Sequence, residues 1–177
     1  AVATGKYMDH PRVPESRGQA IPAWDPRPLK ATGVTYCTSA MGADHTAGLV
    51  VKPGLPVEEM AWESQKVQIV NAVCDSSGFC QFLQTSLDDI RAFYAALYGT
   101  PVSREAIHDL GWQCLSDDWE FNDGAGFTDA DDKLSDCLQE EAIGNPPTAF
   151  DVPRDVIQAA KQRMPAREDL FGSKASG

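Results

Sequence analysis

The chain has 177 residues, a formal net charge of −11 at pH 7, 42% hydrophobic residues and 23% charged residues. That composition fits one folded domain with a real core and not a disordered segment. The acidic balance and the lack of a basic stripe argue against nucleic-acid binding, and no apolar run reaches the roughly 20 residues needed to span a bilayer, so no membrane contact is expected.

The N-terminal stretch AVATGKYMDHPRVPESRG is polar and proline-containing. It lacks the apolar segment of a secretory leader, so it does not read as a secretory signal. Proline blocks helix interiors and strand ladders, and residues 1–20 read as an extended lead-in. The next segment, GQAIPAWDPRPLK, sets Ile21 and Trp24 among prolines, as a strap over a core would. In GVTYCTSAMGADHTAGLV, Val34, Tyr36 and Thr38 alternate with Thr35 and Cys37, which predicts a short strand. Gly42 and Gly48 bracket a loop that holds His45.

PVEEMAWESQKVQIVNAVC predicts a helix, with Pro56 and two glutamates at its start. CDSSGFC, residues 74–80, breaks it with a Ser-Ser-Gly turn. SLDDIRAFYAALYG is the clearest helix: Ser86 caps, Asp89 lies three residues on, Gly99 fits the end, and Ile90, Phe93, Tyr94 and Leu97 form the buried stripe. SREAIHDLGWQCLSD repeats that logic from Ser103. Further helices are predicted over DADDKLSDCLQEE and VPRDVIQAAKQRM, and residues 165–177 read as a frayed tail. The fold class is therefore mainly α: a single loop-rich helical domain with an extended Pro-rich N-terminal segment.

Chemistry is harder to read. DADDKLSD fails as an EF-hand loop, because counting from Asp129 puts Lys133 and Leu134 where an oxygen ligand and a glycine belong. The five cysteines, at 37, 74, 80, 114 and 137, form no grouped metal set and, being odd in number, no evident disulfide framework. His45 has the chemistry of an acid or base. Cys80 follows a glycine turn that can expose it, and Asp75 can accept N–H donors. On residues alone, Cys74 reads as core and Cys80 as a half-buried thiol.

Three stretches, in order, carry a resemblance. IPAWDPRPLKATGVTYCTSAMGADHTAG, DSSGFCQF, and AGFTDADDKL followed by EEAI resemble the C-terminal part of the tungsten- or molybdenum-pterin aldehyde ferredoxin oxidoreductase family, over residues 18–150 or so. The resemblance implies a bis-pterin tungsten or molybdenum centre beside a 4Fe–4S cluster, a small aldehyde as substrate and ferredoxin as electron acceptor. It implies that Asp75 hydrogen-bonds a pterin ring, with Gly78 and Phe79 beside the cofactor. It also implies that Cys80 is a cluster ligand and that His45 lies near the metal. The other cluster cysteines and the pterin-binding N-terminal domain of the family are absent from the sequence. The chain is therefore expected to act with upstream domains of the same polypeptide and to be inactive alone. Two alternatives stand beside this: part of a tungsten-dependent aryl-CoA reductase, and a metal-free helical interaction module of the same shape.

Overall fold

The computed structural model describes residues 1–175. In chain order the elements are α1 (Val2–Tyr7), β1 (Glu15–Ser16), β2 (Gln19–Ala20), α2 (Lys30–Thr38), α3 (Val57–Ser76), α4 (Leu87–Tyr98), α5 (Arg104–Gly124), α6 (Asp136–Glu140), α7 (Arg154–Ala159) and α8 (Glu168–Gly172). The mainly α class is borne out: among the described residues the sole sheet is the antiparallel pair β1–β2, with Glu15 opposite Ala20 and Ser16 opposite Gln19.

Helix α3 is the spine. Its first turns put Met60 and Ala61 into a core built with Val34, Tyr36, Leu134 and Phe150. Further along, Trp62, Ile69, Val73 and Cys74 enter a second core with Leu87, Ile90, Ile107 and Leu170. Serving both cores leaves α3 almost no solvent face, so Ser64, Gln65, Gln68 and Asn71 are buried as well. Helix α5 crosses α3 at close range through Gly111, where a Cβ would lie 2.8 Å from the Ile69 carbonyl oxygen. That approach admits no larger residue without displacing one helix.

Helix α4 follows its predicted ends. Ser86 and Asp89 form a reciprocal capping box, and Gly99 closes the helix in the left-handed conformation. Its predicted stripe is only half buried. Ile90 is covered and Tyr94 partly so, but Phe93 and Leu97 are 49% and 61% exposed; Leu87, outside the stripe, is buried.

Other expectations are corrected. The stretch read as a strand from Val34 to Thr38 is the helix α2. Buried on every side, it has no alternation to satisfy, and Thr35 and Thr38 return their hydroxyls to the carbonyls of Ala31 and Val34 within the helix. The lead-in is not extended: its prolines begin at Pro11, which leaves residues 2–7 free to form α1, and Arg17 and Gly18 turn the β1–β2 hairpin at positive φ. The tail from 165 is not frayed. Helix α8 buries Leu170 and Phe171, and Ala175 is covered too; residues 176 and 177 lie outside the described residues.

The stretch 129–141 is a 3-10 turn (Asp129–Asp131) followed by the short α6, because Asp132 is drawn inward. Its fully buried carboxylate pairs with Arg17 and with Lys161 (2.8 Å). Helix α7 stops well before Met164. Gln65 takes the carbonyls of Ala160 (3.0 Å) and Gln162 (2.8 Å) and accepts the Met164 N–H (3.1 Å), so these groups bond to α3 and not to each other.

Candidate functional site

Helix α3 ends inside CDSSGFC, and the turn is a helix terminator. Phe79 N–H donates to the Cys74 carbonyl (3.0 Å), and Gly78 N–H to that of Asp75 (3.1 Å). Gly78 sits at φ +72°, where a side chain is strained. This closure separates the two flanking cysteines. Cys74 is fully buried in the second core, whereas Cys80 is exposed on extended backbone at the start of a 3-10 turn, Gln81–Leu83. Phe79, partly buried, packs edge-to-face on Phe93 at 5.3 Å. Gly78 and Phe79 therefore have structural work here that shapes the loop presenting Cys80.

The GADHTAG loop lies against this helix end. Asp44 folds back on Thr46, accepting its N–H (3.0 Å) and its hydroxyl (2.5 Å). The Thr46 carbonyl then receives two amides: Asn71 Nδ2 of α3 at 2.8 Å and Gln81 Nε2 at 3.1 Å. One backbone oxygen thus joins the two motifs, which lie about 30 residues apart in sequence. His45 is partly exposed, and its Nδ1 lies 3.8 Å from Asp44 Oδ1, too far for a hydrogen bond.

Two cavities flank Thr46. One, of about 250 Å³, is bounded by the loop after α2, by Gln68, Asn71 and Asp75 of α3, and by Asp118 of α5. The other, of about 400 Å³, is bounded by His45, Gln81, Phe82 and Lys174. Asp75 and His45 therefore face adjoining cavities and not a single one. Lost hydration pushes the Asp75 carboxyl above the usual range; a hydrogen bond from Gln81 opposes the shift and nearby Asp44 adds to it. Lost hydration, with Asp117 beside it, likewise raises Asp118. Sequence reasoning missed Gln68 and Asp118. Neither lies in a motif: Gln68 sits two turns before Asp75 on the same face of α3, and the crossing of α5 brings in Asp118.

The model of the family described as aldehyde ferredoxin oxidoreductase, domains 2 and 3, matches residues 2–164. The chain belongs to the aldehyde ferredoxin oxidoreductase family. It is 28% identical over 171 residues to a tungsten-containing aldehyde ferredoxin oxidoreductase of Thermococcus kodakarensis, covering 89% of this chain and 27% of that protein. It is 29% identical over 173 residues to the protein of the same description from Pyrococcus abyssi, covering 90% and 28%. The chain thus spans less than a third of the length of these relatives.

Those relatives are described as tungsten-containing, and the residues gathered here are acceptors that suit a cofactor edge bearing N–H groups. Carboxylates suit the N–H edge of a pterin ring, and Asp75 sits at a cavity lined by no lysine, arginine or histidine. The Cys80 thiol is free and exposed. Among the described residues no set of cysteines gathers to hold a cluster; the one gathering of three ligand-type side chains is Glu105, His108 and Asp109, and the Arg163 guanidinium is bonded to all three. No helix among the described residues is long and apolar enough to cross a membrane.

Proposed function

We propose that this chain forms the C-terminal wall of an oxidoreductase that converts aldehydes to carboxylic acids, completed by upstream domains of the same polypeptide. The observation that carries the reading is the joint at Thr46, which holds the His45 loop against the helix end bearing Asp75 and Cys80. The reaction joins an aldehyde to water and yields a carboxylic acid, two electrons and two protons. A bis-pterin tungsten or molybdenum centre, when bound, supplies the two-electron chemistry, and a 4Fe–4S cluster relays electrons singly toward ferredoxin.

The residues of this chain have distinct parts. Asp75 would accept N–H donors of a pterin ring and so help to hold it. Cys80 would offer one thiolate to a cluster iron, the remaining ligands coming from upstream domains. Gly78 supplies the turn that aims Cys80 outward, and Phe79 anchors that turn to α4. His45, on a loop open to solvent, accepts a proton released in the oxidation and passes it to water. In cell compartment terms the reading is cytoplasmic.

The test is Cys80→Ser in the full-length enzyme, purified without oxygen. The low-temperature EPR signal of the reduced cluster is expected to change or vanish, with aldehyde-dependent electron transfer lost. A signal identical to wild type would remove Cys80 from the cluster and favour the metal-free interaction module.

A further inference from the structure

Near its start, α5 carries Glu105, His108 and Asp109 at a spacing that puts them on one helix face. Arg163, just past α7, sets a single guanidinium nitrogen among them. Its Nη2 donates to Glu105 Oε1 (2.6 Å) and to Asp109 Oδ1, and lies 3.3 Å from His108 Nδ1. A guanidinium only donates, so the contact with the imidazole exists only while Nδ1 keeps its lone pair. The ring proton is therefore assigned to Nε2, which is buried without a partner in a residue 1% exposed. A second proton would set an N–H of a charged ring against the N–H of Arg163, and the buried end of that ring has no acceptor to compensate.

Burial and the Arg163 charge hold the imidazole below its usual pKa, while Glu105 and Asp109 pull the other way. Charges on α3 and α8 are committed elsewhere: Lys66 to Asp169 (2.8 Å), Glu59 to Arg167 (2.6 Å) and Glu168 to Arg104 (2.5 Å). Arg163 also begins a strap. Met164 packs on both cores, Arg167 stacks over Trp62, α8 buries Leu170 and Phe171, and Lys174 and Ala175 line the His45 cavity. A cavity of about 430 Å³ lies beside the first residues of the strap, bounded by Glu105, His108, Met164 and Pro165. The Arg163 side chain is 43% exposed, so it has room to swing out.

We propose that His108 is a proton-sensitive latch: neutral, it holds Arg163 at the start of α5, and protonated, it expels that guanidinium and loosens the strap of residues 163–175 that ends at the His45 cavity. An imidazole kept neutral by the fold contributes its full stability above the ordinary histidine value of about 6.5, and that contribution is lost as pH falls below it. Carboxylates, near about 4, stay mostly ionised down to pH 5, so the window from pH 7 to pH 5 belongs to the histidines. Nothing in the latch depends on the proposed chemistry.

The experiment is hydrogen exchange of the 177-residue chain at pH 7 and pH 5, read by mass spectrometry and corrected for the intrinsic pH dependence of exchange. Protection of residues 163–172 is expected to fall about tenfold or more at pH 5, while α4 changes little. His108→Asn puts a neutral amide where Nδ1 stood, and the fall is expected to disappear. An equal fall in wild type and His108→Asn overturns the latch, as does full protection of the wild-type strap at pH 5. If His108→Asn does not fold, Arg163→Gln, at a partly exposed side chain, decides. Its strap is expected to be loose already at pH 7 and indifferent to pH, and a fall that persists in it overturns the latch.

Discussion

Helices α3 and α4 invert the usual relation between pattern and burial. Along α3, glutamines, serines, an asparagine and a lysine interrupt every face, yet nearly every residue from Met60 to Cys74 is buried. Along α4 the apolar residues recur at helical spacing, yet Phe93, Leu97 and Tyr98 stay exposed. The difference lies in position, not propensity. Helix α3 runs between two cores and meets α2 on one side and α5 on the other, so its polar residues serve as partners for neighbouring backbone and hydroxyl groups. Helix α4 lies at the edge, covered on one side only, with α8, α5 and α3 as its neighbours. A polar residue on a central helix costs little when every atom is matched, and an apolar residue on a peripheral helix contributes little while nothing covers it.

The contrast is sharpest at Trp62, 1% exposed on α3 with Arg167 stacked 4.8 Å over its ring. Trp62→Ala is expected to destabilise by about 3–5 kcal/mol in chemical denaturation. A loss under about 1 kcal/mol would mean that the centre of α3 is far looser than its burial implies. Next comes Gln65→Leu, which keeps the volume and removes three hydrogen bonds. If matched polar atoms are what make α3 tolerable, it costs about 2–4 kcal/mol, by orphaning the backbone groups of Ala160, Gln162 and Met164. A neutral or stabilising result would show that α3 gains nothing from its polarity.

At the start of α4, Arg104 and Arg91 hold Asp88 down to about pKa 2. A carboxylate depressed in the folded state contributes stability above its unfolded value near 4, and that contribution is lost as pH falls toward 2. The pair is at the surface, so the effect is at most about 1 kcal/mol and screened by salt. Comparing wild type with Asp88→Asn at pH 5 and pH 2 reads it directly: the two curves should converge at the lower pH. The smallest effect belongs to Leu97→Ser, which should shift stability by no more than about 0.5 kcal/mol. A larger loss would reveal that α4 is covered in solution.

The same contrast explains what could be read ahead of the structure. Helix α4 was legible because its signals are local: a capping box between Ser86 and Asp89, and a terminal glycine at 99. The start of α3 was legible for the same reason, from Pro56 and the glutamates after it. Helix α2 was not, because Val34, Tyr36 and Thr38 favour a strand and only burial on all sides makes them a helix. The order α8 gives the tail depends on Leu170 finding the second core, a contact more than 100 residues from Trp62. At the site, motifs pointed to His45, Asp75 and Cys80, and the joint at Thr46 brings their two loops together. Gln68 and Asp118 were invisible, since only the packing of α3 and α5 shows which residues line the cavity beside Asp75.

The buried carboxylate of Asp132 ties together parts of the chain that are remote in sequence. It holds Arg17, on the hairpin, and Lys161, just past α7. Between these two lies the exposed loop at residues 51–54, an accessible place for a protease to cut. A single nick there would leave one fragment carrying Arg17 and α2, and another carrying Asp132 and α3. With the buried pairing and the α2–α3 packing intact, the two fragments should elute together on gel filtration and part only in denaturant.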